Sequence, residues 1–287
     1  MRAPLRYSEG MRTLGQIGPV LRAFFLSAIV SAAIVPSARA EVAVDVALVL
    51  AVDVSRSMSH EEMRIQRRGY ADAISSPQVL RAISQGPHGR IAVTLFEWAA
   101  DYHAREIVAW TVIETRADAQ AIAATLLSQH SRGERRTSIS GGIDHAVRLL
   151  EAVPFLADRR VIDVSGDGPN NQGLPVTMAR DAAVRKGITI NGLPLMTEGG
   201  YGSQFNIPDL DEYYRRCVIG GPGAFMIPVN DWDQFAEAVR RKLVLEIGAL
   251  EPMPTATERA RVMPAQFDFA PPYDCLIGEK IWRQRGW

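Results

Sequence analysis

The sequence predicts an α/β protein: a doubly wound, mostly parallel sheet of six strands with helices on both faces and one antiparallel edge strand. Three observations carry this. The stretch Leu48-Val49-Leu50-Ala51-Val52-Asp53-Val54-Ser55-Arg56-Ser57-Met58 is an apolar, β-branched run that stops at an aspartate. Strand-like runs then alternate with helical stretches over residues 44–247, the pattern of a sheet whose crossovers are helices. The second and third strand runs are joined by a connection too short for a crossover, so the third should run antiparallel at the edge.

Each element follows from its residues. Residues 44–52 are apolar almost throughout, as a strand buried on both faces must be. Residues 61–74 read as a helix that Ser75-Ser76-Pro77 should end. Strands are expected at 90–98 and 104–113, and helices at 115–129 and 140–150, with the polar loop 131–138 between the helices. A fourth strand, 161–165, leads into Gly166-Asp167-Gly168-Pro169-Asn170-Asn171. The helix 176–186 has Gly187 as its stop, and the fifth strand is 188–195. A glycine-rich loop at 199–203 and a short helix near 208–216 follow. The sixth strand is expected at 224–229. Residues 232–247 form an amphipathic helix with Trp232, Phe235, Val239 and Leu243 on one side. The tail 248–287 is Pro-rich and is expected to wrap the surface without a core of its own.

Composition bounds the function. The chain has 287 residues, 47% apolar and 22% charged, which suits a packed core rather than disorder. The formal net charge is zero, and no basic stripe with interleaved aromatics is visible, so nucleic acid is not an expected partner. Residues 1–40 read as a signal peptide: Arg2, Arg6, Arg12 and Arg22 precede a short apolar run, 23–35, and Ala38-Arg39-Ala40 fits a cleavage site. The run falls short of the roughly 20 residues a spanning helix needs. The mature chain is therefore expected to be exported, periplasmic or secreted, with no integral membrane span. Five arginines and one glutamate leave with the signal peptide, so the mature protein is mildly acidic. Cys217 and Cys275 make an even pair that an oxidising compartment would join as a disulfide, tying the tail to the domain.

In doubly wound sheets, ligands bind beyond the carboxyl ends of the strands, at the switch point. That rule selects Asp53, Ser55 and Ser57 after the first strand, Asp167 after the fourth, and Thr137 in the polar loop. Two carboxylates and three hydroxyls are hard oxygen ligands suited to Mg²⁺ or Mn²⁺. The carboxylates balance a divalent charge while the hydroxyls add ligands without charge, so the ion stays electrophilic toward an oxygen from outside. Ser138 offers the same hydroxyl as Thr137, and the spacing to Gly142-Ile143 favours Thr137. The bland reading of Ser55 or Ser57 is a helix cap.

Asp53-x-Ser55-x-Ser57, with Thr137 before Gly142-Ile143 and Asp167-Gly168 after a strand, resembles a von Willebrand factor A (vWA) domain with its metal-ion-dependent adhesion site. The resemblance covers roughly 44–247. It implies a metal held by Asp53, Ser55, Ser57, Thr137 and Asp167, and a partner protein that completes the coordination with a carboxylate. The whole chain also resembles an exported bacterial family of this type with no assigned function. Two departures stand out: Arg56 where the family often has Gly, and Gly166 where Thr or Ser is common.

No phosphate-binding glycine loop and no Gly-x-Ser-x-Gly elbow is present, and no catalytic set is assigned. A metal-dependent phosphotransferase or phosphohydrolase is the rival reading. It usually needs a second carboxylate two residues after the first, where this chain has Ser55. A third reading is a structural domain whose site is metal-free, with the Arg56 guanidinium where the ion would sit. The five histidines do not cluster at a ligand spacing, Glu97-Trp98 reads as support for the rim, and the sequence gives no role to Asp163.

Overall fold

β1 (Ala43–Asp53) is the centre of the sheet, and its apolar run suits that place: Val44 and Val46 to Ala51 are 0% exposed. The computed structural model describes residues 42–197, 206–248 and 273–285. The expected signal peptide lies outside the described residues, as do residues 249–272 of the tail and 198–205 after the fifth strand.

The sheet has the order β3-β2-β1-β4-β5. β2 (Ile91–Trp98) and β4 (Leu156–Gly166) flank β1 in parallel, and β5 (Ile188–Pro194) extends the sheet in parallel beyond β4. β3 (Ala104–Ile113) pairs antiparallel with β2 at the edge, as expected. Strand geometry sends alternate residues to opposite faces. Val46, Leu48, Leu50 and Val52 enter one core, covered by α1 (His60–Ile74), α2 (Pro77–Ser84), α3 (Arg116–Ser128) and α7 (Phe235–Gly248). Ala47, Val49 and Ala51 enter the other, covered by α4 (Ile139–Glu151), α5 (Val176–Arg185) and α6 (Leu210–Tyr213). This is the vWA-like arrangement that the sequence led us to expect.

Local chemistry starts the helices. Ser59 and Glu62 form a reciprocal capping box on α1, and Thr115 and Asp118 another on α3. α1 ends at Ile74, as expected, and a second helix follows at once: Ser76 accepts from the Val79 amide and Pro77 opens α2, where its missing N–H costs nothing.

The expected sixth strand is not part of the sheet, which has five strands. Residues 220–229 touch β5 only at isolated points. The Gly192 amide donates to the Phe225 carbonyl at 3.0 Å, and the Val229 amide to the Pro194 carbonyl at 2.9 Å. Pro222 and Pro228 have no N–H to donate, and Gly221 and Gly223 adopt φ of 95° and 68°, so no continuous ladder can form.

Part of the tail is described, at 273–285. Its described part contains α8 (Ile277–Gln284), whose Ile277 and Ile281 pack against the second core. The Cys217–Cys275 disulfide is formed and anchors it. Cys217 lies in a π-helical turn, Tyr214–Val218, that continues α6.

Candidate functional site

β1 and β4 are neighbours from which the chain winds in opposite directions, so their carboxyl ends open the switch-point crevice. Asp53 ends β1 and is fully buried. Its Oδ1 accepts from the Ser55 amide at 2.6 Å, which tightens the turn. Ser55 Oγ lies 3.0 Å from Ser57 Oγ, and Ser57 Oγ donates to Asp167 Oδ1 at 2.7 Å. Four of the expected residues are thus linked across two strand ends, Ser57 reaching Asp167 from 110 residues away.

Thr137 makes no hydrogen bond to the other four. It reaches the site through Asn171, whose Oδ1 accepts from the Thr137 amide at 3.0 Å and whose amide donates to the Thr137 carbonyl at 2.8 Å. This clamp ties the polar loop to the turn that carries Asp167. Its hydroxyl makes no hydrogen bond among the described residues. Ser138 is spent differently: it caps α4, accepting from the Gly141 amide at 3.1 Å while donating to the Gln172 carbonyl at 3.0 Å. The two hydroxyls that looked equivalent in sequence therefore have different surroundings. Arg56 is exposed and makes no ion pair among the described residues.

The electrostatics are unusual for two acids. Burial, and next the charge of Asp167, pushes the Asp53 carboxyl well above the usual carboxylate range. Burial pushes Asp167 up to about 6, against the lowering effect of the Ser57 hydrogen bond. Among the described residues, no basic group is among the main causes of either shift. Asp53 Oδ2 is buried and has no hydrogen-bond partner, a cost that native proteins seldom leave uncompensated. The donor set, two carboxylates and neutral hydroxyls, fits a hard divalent cation in kind and in charge.

Glu97 supports the rim as expected. Its carboxylate accepts from Arg105 Nη2 at 2.9 Å and from the Ser131 hydroxyl, which fixes the start of the polar loop. Further along that loop the Glu134 amide donates to the Val54 carbonyl at 3.1 Å, laying the loop along the turn after Asp53.

Two groups of residues were not apparent from the sequence. Asp45, His88 and Asp158, at the opposite end of the strands, have ligand atoms within 4.8 Å of one another and could also hold a metal ion. Here the two Asp45 oxygens already accept from the His88 and Arg90 amides at 2.8 and 3.3 Å, and His88 Nε2 lies 3.2 Å from Asp158. The only sequence signal was the start of β1 and β4 side by side. The second group is α8. The Arg136 guanidinium sits 3.7 Å above the Trp282 ring, and Asn170 Nδ2 donates to Glu279 Oε1 at 2.8 Å. Gly278 packs so tightly that an added Cβ would meet the Asn170 carbonyl oxygen at 2.1 Å. The tail helix therefore braces both loops that carry Thr137 and Asp167.

Comparison with solved structures supports this architecture. The chain is similar to proximal thread matrix protein 1 from the mussel byssus: 13% identity over 72% of this chain and 49% of that one, TM-score 0.53. It is similar to the pilus adhesin SpaC from Lactobacillus rhamnosus GG: 12% identity over 71% and 31%, TM-score 0.52. A third similar structure is a von Willebrand factor type A protein from Catenulispora acidiphila: 14% identity over 72% and 43%, TM-score 0.48. In each case the match spans half or less of the other chain, and at these identities the first two likenesses are ones of fold alone. No curated protein matches the sequence. A family profile does, over residues 43–251, and the chain belongs to that family, described as Protein of unknown function (DUF1194).

Proposed function

We propose that this protein is an exported binding module that holds Mg²⁺ or Mn²⁺ through Asp53, Ser55, Ser57, Thr137 and Asp167 and uses the ion to capture a carboxylate of a partner protein. The observation that carries the reading is the pair of buried carboxylates at the switch point, which form no ion pair with a basic side chain among the described residues. A divalent cation would balance both. With neutral hydroxyls as the other ligands, it would keep an appetite for an anionic oxygen. The domain is read as 44–247, with the tail helix bracing its rim. The disulfide fits an oxidising compartment, and among the described residues no helix is long and apolar enough to cross a membrane.

The test is calorimetric titration of residues 41–287 with Mg²⁺ and Mn²⁺, beside Asp53→Ala, Asp167→Ala and His88→Ala. Saturable binding lost in the two aspartate variants and kept in His88→Ala supports the site. Binding lost only in His88→Ala would move the metal to the Asp45, His88 and Asp158 group. Arg56 is exposed, which favours the proposed reading over a guanidinium-filled site. Turnover of phosphate esters that depends on Asp53 would favour the phosphohydrolase reading instead.

A further inference from the structure

Asp53 has one oxygen with a partner and one without. Oδ1 accepts from the Ser55 amide, while Oδ2 is buried with no partner among the described residues. The Tyr214 hydroxyl is in the same condition: the residue is 0% exposed and its oxygen is unpaired. The two unpaired atoms meet at Gly166. A Cβ built on that glycine would stand 2.9 Å from Asp53 Oδ2 and 2.9 Å from the Tyr214 hydroxyl. They are therefore no farther apart than twice that distance, with no side chain at 166 between them.

A second glycine clears the path of the ring. A Cβ on Gly192 would meet Tyr214 Cδ1 at 2.6 Å. Gly192 pairs with Val164 in the register of β4 and β5, two residues before Gly166 and therefore on the same face of the sheet. Two glycines on adjacent strands thus leave open the space between a tyrosine hydroxyl and a carboxylate oxygen that has no donor among the described residues. The backbone that aims the ring is also special. Tyr214 opens the π-helical turn, closed by the Ile219 amide on the Tyr214 carbonyl at 3.0 Å, and the disulfide at Cys217 pins that turn. Such single-turn departures are frequent at functional sites.

We propose that Tyr214 is a positioning residue for Asp53: the two atoms make no hydrogen bond to each other in this structure, and closing the gap that Gly166 leaves open would let the hydroxyl donate to Oδ2 and set how that carboxylate is presented to the metal. The part that concerns the metal rests on the function proposed above; the pairing of Tyr214 with Asp53 does not. A carboxylate orients its ligand field through such outer partners, and their removal typically weakens metal affinity on the order of 10- to 100-fold.

Two readouts on the full mature protein test it. Without metal, the near-ultraviolet band of Tyr214 is isolated as wild type minus Tyr214→Phe, and again in an Asp53→Asn background. The expected result is a shift of that band when Asp53 becomes Asn; an unmoved band overturns the pairing. With metal, Mn²⁺ affinity is measured for wild type, Tyr214→Phe and Tyr70→Phe. Tyr70 is an equally buried, unpaired tyrosine in the other core, so it controls for loss of a buried hydroxyl. The expected result is about tenfold weaker binding in Tyr214→Phe alone. Equal weakening in both, or in neither, overturns the positioning role. If wild type binds no Mn²⁺, the metal reading fails, and the spectral shift alone decides whether Tyr214 and Asp53 are partners.

Discussion

Asp163 and Asp167 stand four residues apart at the end of the same strand, both buried, and the protein treats them in opposite ways. Asp163 has a resident cation: Lys242 Nζ lies 2.6 Å from its Oδ1, and the same ammonium contacts Glu246. Lys242 is itself 0% exposed, and Asn191 donates to Glu246 Oε1 at 2.9 Å. Asp167 shares its crevice with Asp53 and has no ion pair with a basic side chain among the described residues. In the core the charge problem is solved internally. At the rim it is left open among the described residues, at the carboxyl ends of the strands where ligands of such sheets bind. Buried acids without a basic partner are costly, so their persistence at the rim, beside a solved example on the same strand, is an argument for an external cation.

The largest expected effect comes from breaking the internal solution. Lys242→Met should destabilise the protein by roughly 3–5 kcal/mol, because removing one partner strands buried charge. Denaturant unfolding monitors it, and a loss under about 1 kcal/mol would mean that Asp163 and Glu246 are held neutral, dissolving the contrast. At the rim the same kind of deletion should do the reverse. Asp53→Asn keeps an oxygen for the Ser55 amide and removes an uncompensated buried charge, so the metal-free melting temperature should hold or rise while Mn²⁺ affinity is lost.

The pH dependence sharpens the comparison. Asp167 is raised in the folded protein to about 6, against 3.8 for an unperturbed Asp. A folded-state carboxyl raised in this way binds more protons folded than unfolded in that window, so its contribution to stability falls as pH rises from about 4 to about 6. Saturating Mn²⁺ should cancel that fall, since ligation needs the ionised form; melting curves across the window with and without the ion decide. The smallest effect expected is from Arg136→Ala. It removes the guanidinium from Trp282 and should cost about 0.5–1 kcal/mol, read as faster amide exchange in 273–285 with the sheet unaffected.

What could be read in the sequence was local. The run before Asp53 is buried on both faces, and a strand of that kind is written in consecutive residues. Asp53, Ser55 and Ser57 were legible for the same reason. Matching them to Asp167 took only the rule that places ligands at strand ends. Features that depend on a neighbour were not legible. Lys242 and Glu246 look like polar positions of an amphipathic helix until Asp163 and Asn191 are placed against them. Residues 224–229 have the apolar content of a strand, but the flanking Gly and Pro residues deny them a ladder. The tail was read from its composition, and eight residues with Ile277, Ile281 and Trp282 form a helix only because the second core and the polar loop are there to meet them. Tyr214 carries no signal at all without Gly166 and Gly192 beneath it.

The disulfide has a practical consequence for anyone trimming this protein. The span shared with its family stops at 251, and cutting there would discard Cys275 together with the helix over Asn170 and Arg136. Cys217 would be left as a thiol on a newly uncovered surface, able to join two copies of the shortened chain. A dimer seen in such a preparation would report the scissors rather than the protein.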